Sequence, residues 1–174
     1  MFSKKMSVRK MLTVAGATAL ALGGMSGTQA AVDDLDVTAT VVANCSITAD
    51  ALDLGNYDPV VVNAATAADA QSNISVTCTS GASATVTLGQ GANAAGGSTD
   101  ANPDRRLANG ANRLNYGLFT DVTHLDEWGN TAGTGVPHTG TGSAATLVVY
   151  GSIPAAQNVP AGVYTDTVVA TITL

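Results

Sequence analysis

Val163-Tyr164-Thr165-Asp166-Thr167-Val168-Val169-Ala170-Thr171-Ile172-Thr173-Leu174 is the stretch on which the fold turns. From Tyr164 through Val168, Ala170 and Ile172 to Leu174 it alternates with period two up to its final residue. Such alternation predicts a β-strand with one face in a core. The same signal recurs upstream at Asn73 to Cys78, Ala84 to Leu88, Leu114 to Phe119 and Thr146 to Ile153. Gly, Asn, Asp and Pro separate these segments, and Val and Thr are abundant, as strands prefer. No segment holds a helical period; Ala65 to Ala70 offers at most one helical turn. The expected fold class is all-β, an antiparallel sandwich of a single domain. Two polar loops, Gln90 to Asp104 and Asn130 to Ser143, are expected to be exposed and mobile.

The first thirty residues read differently. Lys4, Lys5, Arg9 and Lys10 precede the uncharged apolar run Met11 to Leu22, and Thr28-Gln29-Ala30 supplies small residues for cleavage. This order describes a secretory signal peptide over residues 1–30. About a dozen apolar residues fall short of the roughly 20 needed to span a bilayer. Cleavage after Ala30 removes every lysine and leaves Arg105, Arg106 and Arg113 against thirteen acids, a formal charge of −10. So acidic a surface repels phosphate backbones, and nucleic acid is not an expected partner. The two remaining cysteines, Cys45 and Cys78, enter an oxidising compartment and are expected to form one disulfide. Neither a CxxC pair nor a paired-histidine motif accompanies them, so zinc is not expected.

The two ends pose one problem. A sandwich of the immunoglobulin type needs a further strand beyond the one ending at Leu174 to cover the core and pair the edge. At the other end, Leu35, Val37, Ala39 and Val41 share one face of an alternating segment ahead of Cys45, with Asp36, Thr38 and Thr40 on the other. An exposed edge strand is a template for another chain. If residues 31–43 of one copy fill the gap in the next, the contact is strand addition, head-to-tail and open-ended, and it makes a fibre. Burying Leu35, Val37 and Val41 would contribute about 5–9 kcal/mol before ordering costs. Period two alone does not separate this from a segment that folds back into its own domain.

The motifs add a resemblance. Leu-Asp-Leu-Gly-Asn-Tyr-Asp-Pro from Leu52 to Pro59, the run Asn73 to Cys78, Arg105-Arg106-Leu107, Leu114 to Asp121, Trp128-Gly129 and the tail from Val149 to Leu174 follow one another as in the spore coat U-like family. That family includes subunits of archaic chaperone–usher pili. The resemblance implies an incomplete immunoglobulin-like β-sandwich, residues 44–174, completed by a donor strand from a neighbouring subunit. The donor would be residues 31–43, bearing Leu35, Val37, Ala39 and Val41. The acceptor edge would carry Val168, Ala170, Ile172 and Leu174. Implied partners are identical or related pilin subunits, a periplasmic chaperone and an outer-membrane usher. The implied destination is an extracellular pilus used in surface attachment and biofilm.

Enzyme chemistry has little to stand on, and neither a catalytic residue, a metal nor a cofactor is expected. His124, Asp126 and Glu127 read as a solvated turn before Trp128, with His138 in a glycine-rich loop. Asp100, Asn102 and Asp104 open like a calcium loop but lack its glycine and closing acid. Gly89-Gln90-Gly91 is not followed by the amphipathic helix that phosphate binding requires. Asn73-Ile74-Ser75 fits a glycosylation sequon by chance. Tyr57, Tyr116, Tyr150, Tyr164 and Trp128 are expected in core packing rather than in a sugar platform, with Tyr150 and Tyr164 foremost. The competing readings are a secreted monomeric module that binds carbohydrate or matrix, and a spore-coat-like surface protein.

Overall fold

The computed structural model describes residues 29–174, so the leader expected over 1–30 lies outside the described residues except for its last two. The chain divides into two units at the Ala39–Thr40 junction. Residues 29–44 form no strand, and the side chains of Leu35, Val37 and Val41 are exposed.

The unit from Thr40 to Leu174 is an all-β sandwich. Its strands are β1 (Cys45–Ala49), β2 (Ala68–Cys78), β3 (Ser83–Leu88), β4 (Arg105–Asn109), β5 (Asn112–Phe119), β6 (Val136–Thr139), β7 (Ala144–Ile153) and β8 (Ala170–Thr173). One sheet has the order β1-β2-β7-β5-β4 and the other β6-β3-β8, and every pairing is antiparallel. Alternation decides which residues enter the space between the sheets. On β2 it buries Ile74, Val76 and Cys78; on β5, Leu114, Tyr116 and Leu118; on β3, Ala84, Val86 and Leu88.

The strands expected at Asn73 to Cys78, Ala84 to Leu88, Leu114 to Phe119 and Thr146 to Ile153 are present, whereas the last, expected from Val163 to Leu174, is a strand only over Ala170–Thr173, preceded by a single bridge at Thr165. Ala68 to Ala70 opens β2 instead of a helical turn, because pairing with β7 from Ala68↔Ile153 onward outweighs alanine's local preference. Strands β1, β4 and β6 carry little alternation of their own. The last lies within the expected Asn130–Ser143 loop and contains Pro137, which an edge strand paired on one side tolerates. The other expected loop is tied down: Arg106 donates to the carbonyls of Asn93 (3.1 Å) and Ala94 (2.7 Å), and the Ala95 amide donates to Asp104 O (2.9 Å). The aromatics at the centre are Trp128, fully buried, and Tyr116, whereas Tyr150 and Tyr164 are only half-buried. Indole and phenol each reach a polar partner from the core, as burial requires: Trp128 Nε1 donates to Val86 O at 2.9 Å and Tyr116 Oη to Asp166 Oδ2 at 2.7 Å.

Cys45 and Cys78 face each other in register on β1 and β2 and are bonded, with Cα atoms 4.1 Å apart. Around this bridge Ala82, Ala84 and Ile172 pack together, so the two sheets meet firmly at the disulfide end. They do not meet in the same way at the other end.

Candidate functional site: an open groove between two sheet edges

The last segment changes sheets as it runs. At its start, Thr165 exchanges main-chain bonds with Ala108 of β4 (3.0 and 2.9 Å). The amides of Ala92 and Gly89 then donate to Thr167 O (3.0 Å) and Val169 O (2.9 Å), and from Ala170 the chain joins β3 as β8. The odd-numbered residues thus direct their main-chain groups toward β4, the 89–92 loop and β3. In an extended strand their neighbours point the other way. Asp166, Val168 and Ala170 therefore present N–H and C=O along a free edge while their side chains, half-buried, face the core.

Across from this edge lies the far edge of the larger sheet, β1, continued by residues 50–54. Asp50 N bonds Asn73 O (2.9 Å), and Ser72 Oγ donates to the carbonyls of Asp50 and Ala51, keeping the segment beside β2. Leu52 and Leu54 turn inward from it over Gly151 of β7, where a Cβ would meet Leu52 Cδ2 at 2.5 Å and Leu54 Cδ2 at 3.1 Å. A side chain at 151 would expel both leucines.

Between the two edges run two clefts with a shared wall of Leu52, Leu54 and Leu107. One, of about 420 Å³, is bordered by Ala49, Ile74, Tyr116, Asp166, Val168 and Ala170. The other, of about 640 Å³, extends toward Tyr57, Ile153, Val159 and Tyr164. Leu52, Leu54, Leu107, Val159, Tyr164, Val168 and Ala170 all pack against the core yet stay partly exposed. In a closed sandwich such side chains are covered by another strand.

The Leu52-to-Pro59 motif forms one lip of this groove. Asp53 Oδ1 accepts from the Gly55 amide (2.8 Å), and Asp58 Oδ1 from the amides of Val60 (2.9 Å) and Val61 (3.1 Å), fixing two turns. Tyr57 Oη donates to Pro154 O (2.7 Å) and accepts from Gln157 N (2.9 Å), joining the lip to the loop after β7.

The opposite flank is sealed by Arg105. Its Nε donates to Gly89 O (2.9 Å) and its Nη2 to Leu88 O (3.0 Å) and Trp128 O (2.7 Å), bridging the two sheets. Glu127 Oε1 stands 3.7 Å from Nη1. Burial pulls the guanidinium pKa below its ordinary value, opposed by Tyr116, Glu127 and Asp166. Burial likewise raises Glu127, with Arg105 acting against it. The Tyr116 phenol is pushed well above the usual tyrosine range, first by burial and then by its bond to the Asp166 carboxylate.

Of the expected acceptor residues, Val168 and Ala170 border the groove. Ile172 packs beside the disulfide at its closed end, and Leu174 borders a separate hollow with Ser83, Thr85 and His138. Leu52, Leu54, Leu107, Tyr116 and Asp166 belong to the groove and were not anticipated there. Leu52-Asp53-Leu54 carries period two, the signal that marks them. The residues weighed for chemistry are dispersed. His124 Nδ1 lies 3.9 Å from Asp69 Oδ1, Glu127 faces Arg105, and Asp100 Oδ1 accepts from Gln90 (2.9 Å) and Asn130 (3.3 Å). Among the described residues no cluster of three or more His, Cys, Asp or Glu side chains is arranged to hold a metal ion.

The geometry defines a class: a disulfide-bridged β-sandwich left open along one flank, with a free strand edge on each side of the opening. The comparisons with known proteins are consistent with it. The Spore Coat Protein U domain model matches residues 31–171, and the chain belongs to that family. It is 49% identical to "Protein U" of Myxococcus xanthus over 148 residues, covering 80% of this chain and 83% of that protein. Among solved structures it resembles a chain of the CsuC–CsuE chaperone–tip adhesion subunit pre-assembly complex from archaic chaperone-usher Csu pili of Acinetobacter baumannii. The TM-score is 0.55 at 22% identity over 78% of this chain, a likeness of fold, and this chain spans 40% of the length of that one.

Proposed function

We propose that the mature chain is a structural subunit of a secreted fimbria, polymerising when residues 31–43 of one copy enter the groove of the next. The observation that carries this reading is the groove itself: a free strand edge from Asp166 to Ala170, above core side chains that lack a cover. A donor of matching kind is present in the same sequence, where Leu35, Val37, Ala39 and Val41 alternate and are exposed. Main-chain bonds to the free edge would hold the donor, and its alternate side chains would fill the two clefts. The cleavable leader, a periplasmic chaperone that covers the groove beforehand and an outer-membrane usher belong to this proposal. So does a role in surface attachment and biofilm.

The test is to delete residues 31–43 behind the leader and to compare surface fibres by electron microscopy and heat-resistant ladders by electrophoresis. The deletion variant is expected to accumulate as a folded, disulfide-bonded subunit without fibres. Replacing Val37 or Val41 with Asp is expected to do the same, by placing an unpaired charge in an apolar cleft. Normal fibres from these variants would overturn the reading.

A further inference from the structure

One residue of the groove is not apolar. Along the inward row Tyr164, Asp166, Val168, Ala170, the carboxylate of Asp166 stands where a core side chain is expected. It is already satisfied: Oδ2 accepts from Tyr116 Oη (2.7 Å), and Oδ1 from Asn93 Nδ2 (2.9 Å) and Asn93 N (3.1 Å). Gly91, at φ +86°, brings the 89–92 loop so near that a Cβ there would overlap this carboxylate. Tyr116 comes from β5 and Asp166 from the last segment, between Thr165, bonded to β4, and Thr167, bonded to the 89–92 loop, so their bond crosses the groove floor. An incoming side chain at this level meets a fixed polar crossbar that needs no further donor and leaves little depth.

We infer that the Asp166–Tyr116–Asn93 crossbar sets the register of the incoming strand by admitting a small residue, Ala39 of a second copy, at that level; this rests on the proposed function. Of the four apolar donor residues Ala39 alone is small. With Ala39 opposite Asp166 in an antiparallel strand, Val41 faces Tyr164, Val37 faces Val168 and Leu35 faces Ala170. The apolar row from Leu35 to Val41 then matches the groove from Tyr164 to Ala170 residue for residue. Asp33 falls beyond it, level with Ile172, where the disulfide cluster has closed the sandwich. A parallel strand with the same Ala39 contact sets Leu35 against exposed Gly162. Shifting the antiparallel strand by two residues drives a valine onto the carboxylate. Ala43 also fits the crossbar, but Cys45, bonded into its own β1, would then have to reach Tyr164 of the neighbour.

Cysteine trapping in the full exported chain tests this, because residues paired across antiparallel strands lie within disulfide reach. Val37→Cys with Val168→Cys is expected to yield covalent ladders at least tenfold more intense than Val41→Cys with Val168→Cys, the pair that the Ala43 register would bring together. Ala39→Leu is expected to lower fibre yield roughly tenfold, while Val37→Leu lowers it far less. Stronger ladders from the Val41→Cys pair than from the Val37→Cys pair, or an Ala39→Leu variant that assembles like the parent, would overturn the register assignment alone. A link within one chain, or no fibres from the parent, would overturn strand exchange itself.

Discussion

The two flanks of this sandwich are built from similar residues and end in opposite states. On the flank of Trp128 and Arg105, nothing of the core is left wet: Trp128 is 0% and Arg105 1% exposed, and the guanidinium, carried on β4, donates to the main-chain carbonyls of Leu88, Gly89 and Trp128. On the flank of Leu52 and Val168, apolar side chains reach the same core and stop half-covered. The difference lies in the backbone. The Arg105 flank joins its sheets with side-chain hydrogen bonds to main-chain carbonyls over a fully buried indole. The Leu52 flank ends in two strand edges that are not paired with each other. A domain closed at the first flank can leave the second open.

The largest test of this contrast is a pair of truncations. Trp128→Ala removes a fully buried indole and leaves a cavity that the Arg105 bonds keep from collapsing; it is expected to destabilise the isolated domain by about 3–5 kcal/mol. Leu52→Ala removes a side chain already partly in water and is expected to cost the same domain under about 1.5 kcal/mol, while lowering fibre yield. Denaturant unfolding of subunits, set beside fibre yield, measures both. Equal losses of stability at the two positions would erase the distinction between the flanks.

Next in size is the disulfide, which closes the end where the flanks converge. Its 33-residue separation corresponds to about 3–4 kcal/mol in the chain-entropy model. Cys45→Ser with Cys78→Ser is expected to lower unfolding stability by that order, and to loosen β1 first, since among the described strands β1 is laddered to β2 alone. Hydrogen exchange resolves the second point: amides of β1 should lose protection ahead of those of β5 and β7. Uniform loss across all strands would show that the bridge does not act locally.

Much of this architecture is legible in the sequence, and the exceptions have physical reasons. Period two on Asn73–Cys78 and Leu114–Phe119 identifies the core faces because those strands lie inside the larger sheet, with neighbours on both sides. Strands β4 and β6 are hidden because Arg105-Arg106 and Val136-Pro137 contradict strand preference; their pairing comes from β5 and β3. The free edge is half legible. Alternation marks Val168 and Ala170, yet it continues to Ile172 and Leu174, and only the disulfide's position explains why the groove ends before them. Tyr150 and Tyr164 attract notice as the aromatics of the tail, but the buried ones are Trp128 and Tyr116, selected by where Val86 O and Asp166 offer hydrogen-bond partners. Asp166 itself interrupts an apolar row in plain view, and its meaning depends on Tyr116 and Asn93, which lie 50 and 73 residues away.

The smallest expected effect discriminates most finely, because it separates the crossbar from the packing around it. Tyr116 keeps its proton in the folded domain well past the pH at which an unfolded tyrosine, near 10, releases it. The proton is therefore lost on unfolding above that pH, so the contribution of Tyr116 is complete below about pH 10 and declines as pH rises, by about 1.4 kcal/mol per pH unit for one proton. Tyr116→Phe keeps the ring and removes the titrating group. It is expected to cost about 1.5–3 kcal/mol at neutral pH, since a hydrogen bond to a charged acceptor is lost. Its stability should then fall less steeply than the parent's between pH 10 and 11. Parallel pH profiles for the two proteins would mean that the phenol–carboxylate bond is not what ties the last segment to β5 beneath the groove, and that the floor is held by the ring's packing alone.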